Sequence, residues 1–387
     1  MTLVAKLARR FPRVAITHEW LTTPGGSEQV VAEILKLFPQ AEIYTSVYDR
    51  GQWSSILSGH PVHPSFLDKL PGARESYAKL LPLMNRAFRS FDLSGYDLVI
   101  SSNHACAKNV VTTGETLHVC YCHTPMRYAW DPSFLAGEQL GAGGRLAARA
   151  LLPRLRRQDY RAAQGPDAFI ANSSYVAARI KRHYGRDATV INPPVEVERY
   201  LDIPRATGDY YLALGRVVPY KRVHLAVAAC EQLGRPIKVA GVGRGLPAVH
   251  AVAGSHTEFL GRVPHADLPG LLAGARALLF PGEEDFGIVP VEAMAAGVPV
   301  IGYGVGGVRD SVVDGESGLM FAEQTADSLA DAILRFESTP FSETDVREQA
   351  RGFGPERFRR ELAEFVLSVK PRPRKAGALT QPGGRNL

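Results

Sequence analysis

The chain has 387 residues, of which 45% are apolar and 22% charged, and its formal net charge is +6 at pH 7. That length exceeds what one hydrophobic core usually organises, so two domains are expected, and the composition excludes a disordered or fibrous protein. The positive balance allows an anionic ligand or an acidic membrane surface. With no zinc-finger spacing and no RNP-like aromatic motif, nucleic acid is not an expected partner.

Four cysteines, Cys106, Cys120, Cys122 and Cys230, form no Cys-x-x-Cys pair, the usage of a reduced cytosolic protein. The opening stretch MTLVAKLARRFPRVAITHEW holds too short an apolar patch for a signal peptide. No apolar run approaches the ~20 residues of a spanning helix. A cytoplasmic protein is the expectation.

In chain order, short apolar strands alternate with helical patterns. The first half offers strands at 13–17, 96–102, 118–122 and 167–173. A helix is expected from near Ser27, and another over YVAARIKRHY, closed by Gly185 at its C-cap. The stretch 190–209, VINPPVEVERYLDIPRATGD, carries three prolines and little helical period and marks the expected domain junction. Beyond it, strands are expected at 209–216, 236–243, 255–261, 275–282 and 298–304. This rhythm predicts two parallel sheets built from β-α-β units. Helical period returns over 355–369, with Phe358, Leu362, Phe365 and Val366 apolar, ahead of a basic Pro- and Gly-rich tail expected to be disordered. The expected division is a domain over 1–195, a second over 196–353, a helix over 354–369 and a tail over 370–387.

In parallel sheets ligands bind outside the carboxyl ends of the strands, so the residues just past each strand carry the chemistry. His18 and Glu19 follow the first strand, then the loop TTPGGSEQ; Asn103 and His104 follow the second, His123 the third. The pair Gly25-Gly26, ahead of a helix, lets backbone amides approach an anion, or simply makes a tight turn. In GRVVPYKR, Arg216 and Lys221 leave one strand end and suit two phosphates, the arginine as a fork and the lysine as a point charge.

The most informative stretch is GEEDFGIVPVEAMAAG (282–297). Pro290 suits the first turn of a helix running to Ala296, with Gly297 ending it. The amides of Gly287, Ile288 and Val289 then stand free at a positive helix end suited to phosphate. Glu284 and Glu292 flank that anion site, which makes electrostatic sense only if they accept hydrogen bonds from ligand hydroxyls. A nucleotide sugar offers both, a diphosphate in the middle and hydroxyls at either end.

These segments resemble the retaining glycosyltransferases of family four. GEEDFGIVPVEAMAAG looks like their E-(seven residues)-E signature, GRVVPYKR like their phosphate-gripping Arg/Lys motif, and TTPGGSEQV like their N-terminal glycine loop. ANSSYVAARI, LGRVPHADLPGLLAGARALLFPG and GVPVIGYGVGGVRDSVVDGESGLMF match further segments in order, to about residue 369. The resemblance implies an α/β GT-B fold: two Rossmann-like domains with parallel sheets facing across a cleft, and the C-terminal helix crossing back to the first. The donor would lie in the second domain and the acceptor in the first.

The implied donor set is Gly25, Gly26, Arg216, Lys221, Gly243, Glu284, Phe286, Gly287, Ile288, Val289 and Glu292. Arg216 and Lys221 would neutralise the departing diphosphate. Glu284 would bind sugar hydroxyls, Glu292 the ribose, and His123 would sit near the sugar's C6 hydroxyl or the reacting centre. The implied mechanism is front-side displacement with retention, in which the leaving phosphate takes the acceptor's proton. No cofactor is expected, and with no Asp-x-Asp motif anywhere, neither is a metal. YCHTPMRYAWD further resembles a bacterial group that adds mannose from GDP-mannose during O-antigen or exopolysaccharide assembly, on lipid-linked saccharide acceptors. One departure stands out: where the family often has Pro-Glu after a glycine pair, this chain has Arg309-Asp310.

His18, His104, Arg127 and Asp131 are assigned to the acceptor side, Arg127 toward a phosphate and Asp131 toward hydroxyls. A metal site at His18, His104 and His123 lacks clear carboxylate ligands. The segment 145–163 sets six arginines against Asp159, with leucines between, and suits peripheral contact with an anionic membrane; the alternative is a solvated basic helix interrupted at Pro153. Two rival functions remain, a UDP-sugar-dependent transferase of the same fold and a non-catalytic nucleotide-sugar-binding scaffold.

Overall fold

The computed structural model describes residues 2–22, 25–53, 57–131, 142–206 and 208–372. Thr23 and Pro24 of the glycine loop, and the tail from residue 373 on, lie outside the described residues. The first sheet is formed by β1 (Val14–His18), β2 (Glu42–Thr45), β3 (Val62–Pro64), β4 (Leu98–Asn103), β5 (Leu117–Cys122), β6 (Ala168–Ala171) and β7 (Thr189–Val190). The second is formed by β8 (Tyr211–Leu214), β9 (Ile237–Ala240), β10 (Thr257–Gly261), β11 (Leu278–Phe280), β12 (Val300–Tyr303) and β13 (Gly318–Phe321). Among the described residues, the helices of eight or more residues are α1 (Leu3–Arg10), α2 (Gly26–Leu37), α3 (Leu81–Arg89), α4 (Ala142–Ala162), α5 (Ser174–Tyr184), α6 (Val223–Leu233), α7 (Ile288–Ala295), α8 (Ala326–Glu337), α9 (Glu343–Arg351) and α10 (Pro355–Ser368).

The first sheet runs in the order β3-β2-β1-β4-β5-β6-β7 and the second β10-β9-β8-β11-β12-β13, with parallel pairings. Each order is that of a doubly wound dinucleotide-binding fold, reversing at one place: between β1 and β4, and between β8 and β11. The crevice at such a reversal is where these folds bind ligands. The central strands β1, β4 and β5 are buried along their whole length, as strands covered by helices on both faces must be. Four strands have no counterpart in the sequence reading: β2, β3, β7 and β13. β2 alternates half-buried and buried residues instead of forming an apolar run, while β3 and β7 have three and two residues.

Local chemistry sets several helix ends. Ser173 caps α5 by accepting from the Val176 amide at 3.1 Å, and Gly185 closes it in the left-handed region at φ +65°. At α7 the cap is Gly287, at φ +89°.

The chain crosses between domains twice. Ile191 belongs to the first core, whereas Val195, Val197 and Tyr200 pack into the second. On the return, Phe353 lies in the second core while Phe358, Leu362, Ala363 and Val366 of α10 are fully buried in the first. The two crossings run side by side, the Val195 amide donating to the Phe353 carbonyl at 3.0 Å. Each buried apolar side chain of α10 is worth on the order of 1.5–3 kcal/mol, so this helix is a wall of the first domain rather than an appendage.

No helix among the described residues is long and apolar enough to cross a membrane. The basic helix α4 continues through Pro153 without interruption, which corrects the expectation of a break there. Its Asp159 is buried and accepts from Lys108 Nζ at 2.5 Å, Trp130 Nε1 at 2.6 Å and Tyr184 Oη at 2.8 Å. Arg156 Nε donates to the Ala129 carbonyl at 2.7 Å, so one of the six arginines is committed inward. Arg154, Arg157 and Arg161 are exposed together with Leu151 and Tyr160.

Candidate active site

On the second domain, β8 and β11 deliver the groups expected from the sequence. The loop after β8 carries Arg216, which is exposed, and Lys221. Lys221 Nζ stands 2.8 Å from Glu284 Oε1, on the loop after β11. Burial works against the Lys221 ammonium, but the neighbouring Glu284 carboxylate outweighs it and lifts the pKa above the ordinary lysine value. Gly243, at φ +155°, passes beside the same loop; a Cβ there would fall 2.2 Å from the Val217 carbonyl oxygen. No side chain fits at that place.

Helix α7 begins just after Glu284 with no side-chain cap, and its first-turn amides lack intrahelical acceptors. Glu292, in the second turn of α7, accepts a hydrogen bond from Tyr200 Oη at 3.2 Å. Burial raises its pKa, and the tyrosine bond opposes that only in part. The Phe286 side chain is only 3% exposed and lies 5.8 Å from the Phe353 ring in the domain core. Any contact of Phe286 with a donor would therefore come from its backbone. The Gly307 amide donates to the Glu284 carbonyl at 2.8 Å, so the Gly306-Gly307 loop braces the glutamate from behind.

On the first domain, the strand ends bring His18, His104 and His123 together. The ring centroids of His18 and His104 are 6.3 Å apart, and those of His104 and His123 6.4 Å. Ser102 Oγ lies 3.0 Å from His18 Nδ1 and 2.9 Å from His123 Nε2. His18 Nε2 is 3.5 Å from Glu28 Oε1, and Ser27 donates to the other Glu28 oxygen at 2.7 Å. Burial, reinforced by the neighbouring imidazoles, drives the His123 pKa down to about 3, so its ring is neutral near neutrality. Burial also lowers His104. Glu28 is held at about 2: burial alone would raise it, but the His18 contact and the Ser27 hydroxyl prevail. Behind the cluster, Glu19 Oε1 accepts the amides of His104, Ala105, Cys106 and Ala107 at 2.7–3.1 Å, fixing the loop after β4. Among the described residues no group of three or more His, Cys, Asp or Glu is arranged to hold a metal ion.

The two halves meet. A Cβ on Gly26, at the start of α2, would lie 2.7 Å from Ile288 Cδ1 at the start of α7. Gly25 opens the same turn as the cap of α2. Val289, beside Ile288, is half-buried against the second core.

Arg127 donates to Asp285 Oδ2 from Nε at 3.1 Å and Nη2 at 2.8 Å, and its Nη1 lies 3.8 Å from Asp131. Arg127, expected on the acceptor side, is thus tied to Asp285 of the opposite domain and lies beside Asp131, which was expected there too. Arg179 Nη1 reaches Asp285 Oδ1 at 3.1 Å, and Tyr175 Oη donates to Glu283. The Ser174 amide and Asn192 Nδ2 donate to Asp310 Oδ2 at 2.7 and 3.3 Å, so the Arg309-Asp310 departure serves the domain boundary. Asp285, Arg179, Tyr175, Asn192, Ser102 and Glu28 escaped the sequence reading. Asp285, Glu28, Tyr175 and Arg179 sat inside segments that had drawn notice, without a role of their own.

Comparison with known proteins places this geometry. Residues 24–199 match the family model of Glycosyltransferase Family 4, and residues 204–353 that of Glycosyl transferases group 1. A glycogen synthase of Mycobacterium tuberculosis is 30% identical over 184 residues, covering 43% of this chain and 44% of the relative. A GDP-mannose-dependent alpha-(1-6)-phosphatidylinositol monomannoside mannosyltransferase of the same organism is 28% identical over 215 residues, covering 48% and 56%. The chain thus spans about half the length of these curated relatives. Among solved structures, Anabaena Alr3699/HepE in complex with UDP superposes with a TM-score of 0.69 at 18% identity, over 92% of this chain and 100% of that one. WaaG, a glycosyltransferase involved in lipopolysaccharide biosynthesis, gives 0.63 at 17%, over 92% and 100%. The chain therefore has the GT-B fold and joins a domain of Glycosyltransferase Family 4 to a domain of the group 1 glycosyl transferases.

Proposed function

We propose that the protein is a retaining hexosyltransferase that moves mannose from GDP-mannose onto a lipid-linked saccharide during cell-surface polysaccharide synthesis, without a metal. The observation that carries this reading is the Lys221–Glu284 pair, which joins the loops after β8 and β11 ahead of α7. A diphosphate placed at the free amides of Gly287, Ile288 and Val289 meets a helix dipole and the cations Arg216 and Lys221. Glu292 then takes a ribose hydroxyl, Glu284 a sugar hydroxyl, and segment 240–245 the base. The bond from the sugar's anomeric carbon to phosphate breaks as the acceptor oxygen bonds on the same face. The acceptor's proton passes to the leaving phosphate oxygen, whose negative charge the two cations offset.

Mannose is supported by YCHTPMRYAWD and by the likeness to the mycobacterial mannosyltransferase. Work at the inner membrane face is supported by the exposed Arg154, Arg157 and Arg161 beside Leu151 and Tyr160 on α4. The competing reading, a UDP-sugar donor, draws on the UDP complex of HepE. Calorimetric titration of GDP and UDP without added metal separates the two. GDP binding far tighter than UDP is the expected result. A UDP preference discards mannose from GDP-mannose, and binding of neither leaves a non-catalytic scaffold.

A further inference from the structure

The Ser102 hydroxyl has one proton and stands between two imidazole nitrogens, so one of them must donate to it. Register puts it there: β4 pairs with β1 so that Ser102 lies beside His18, and with β5 on its other edge, just before His123. Which ring donates is settled at the far end of the chain. An ionised carboxylate only accepts, so the Glu28 contact takes the Nε2 proton of His18. At 3.5 Å that contact is longer than the roughly 2.7–2.9 Å of a charge-assisted bond. A neutral His18 with hydrogen on Nε2 has a bare Nδ1, and this nitrogen receives the Ser102 proton. The Ser102 oxygen then accepts from His123 Nε2.

We propose that Ser102, with His18 and Glu28, is a positioning relay that fixes His123 as its Nε2-protonated tautomer and leaves Nδ1 as a hydrogen-bond acceptor. The charged and titratable groups around the relay are Glu28 from α2, His104 and Glu19 beside the loop after β4, and Asp285 across the cleft. The low His123 pKa keeps the ring neutral, so one bare nitrogen is always present; the relay decides which one. His123 then receives a ligand hydroxyl and rejects a ligand atom that offers only a lone pair. Resting on the transferase reading, this assigns the chemistry of the sugar contact: a hydroxyl donating into Nδ1.

The test is nitrogen NMR of the intact protein labelled at its 11 histidines, with His123 assigned by comparison with His123→Gln. It is run about two units above the ordinary imidazole pKa of about 6.5. The expected spectrum shows His123 with hydrogen on Nε2; hydrogen on Nδ1 overturns the relay whatever the activity. In Ser102→Ala the two tautomers should mix, and in Ser102→Thr the original one should return. The unmodified protein decides the matter if the alanine variant does not fold. Kinetics of GDP-mannose cleavage supply the second arm. S102A should lower kcat about tenfold with little change in KM, and S102T should recover it. An Nε2-protonated His123 in a protein that leaves GDP-mannose intact sustains the relay and discards the mannosyltransferase reading. The expected tautomer with unchanged S102A kinetics removes the relay's role in transfer.

Discussion

Asp285 is held by two guanidinium groups of the other domain: Arg127 at 2.8 and 3.1 Å on one carboxylate oxygen and Arg179 at 3.1 Å on the other. The carboxylate sits between Glu284 and Phe286, so the segment that bears the donor-side glutamate is the one the first domain grips. Removing one partner of a buried pair costs about 3–5 kcal/mol, and the 15–20% exposure of Arg127 and Asp285 reduces this to about 1–3 kcal/mol. A double-mutant cycle of Arg127→Ala and Asp285→Ala, followed by denaturant unfolding, should give a coupling of about 1 kcal/mol or more. Additive effects would mean that the contact does not hold the domains together.

Gly26 and Ile288 touch so closely that a methyl group on residue 26 must displace the Ile288 side chain. Gly26→Ala should raise the donor KM several-fold by keeping the two helix N-termini apart, and Ile288→Val should restore it in the double variant. The thermal midpoint should change little, because Ile288 Cδ1 is the end of a flexible side chain. A KM unchanged in G26A, measured by initial rates, would show that this approach is not needed for donor binding.

Glu284→Gln removes the carboxylate that sustains the Lys221 charge. Turnover should fall about 100-fold or more while nucleoside-diphosphate affinity changes far less, since Arg216, Lys221 and the amides at the start of α7 all remain. Lys221→Met should lower both. Calorimetry beside steady-state rates distinguishes the two patterns, and wild-type turnover in E284Q would remove that residue from the chemistry.

Acid should weaken the protein through His123. Its folded pKa lies near 3 against an ordinary 6.5, so below 6.5 the unfolded chain binds a proton that the folded one refuses. Stability is full above 6.5 and is lost as pH falls toward 3. Glu28, held near 2 against 4.5, adds a second loss in the window from 4.5 down to 2. Denaturant midpoints of His123→Gln should therefore fall less steeply between pH 6.5 and 4.5 than those of the unmodified protein. Parallel curves would place the acid sensitivity on other groups.

The sequence made the central strands and their carboxyl ends legible because those strands are continuous apolar runs followed by polar or glycine residues. His123, Lys221, Glu284 and Glu292 could be placed on that basis. The short edge strands were not legible, since β2 and β3 depend on lateral pairing rather than on an apolar pattern of their own. The contact between Arg127 and Asp285 was not legible for a related reason. An arginine after a strand suits any anion, and nothing nearby in sequence marks Asp285, 158 residues away, as the one it meets. Ser102 read as the end of a strand because only the parallel register sets it between two rings.

Because α10 supplies a wall of the first domain's core, that domain is completed by the last helix described. A chain emerging from the ribosome would lay out β1 to β7 early and then wait, its apolar surface open where Phe358, Leu362 and Val366 belong. The second domain, bounded by Val195 and Phe353, has its core in one uninterrupted stretch and can close first. Completion of the first core thus has to await the last helix, although its strands are synthesised first.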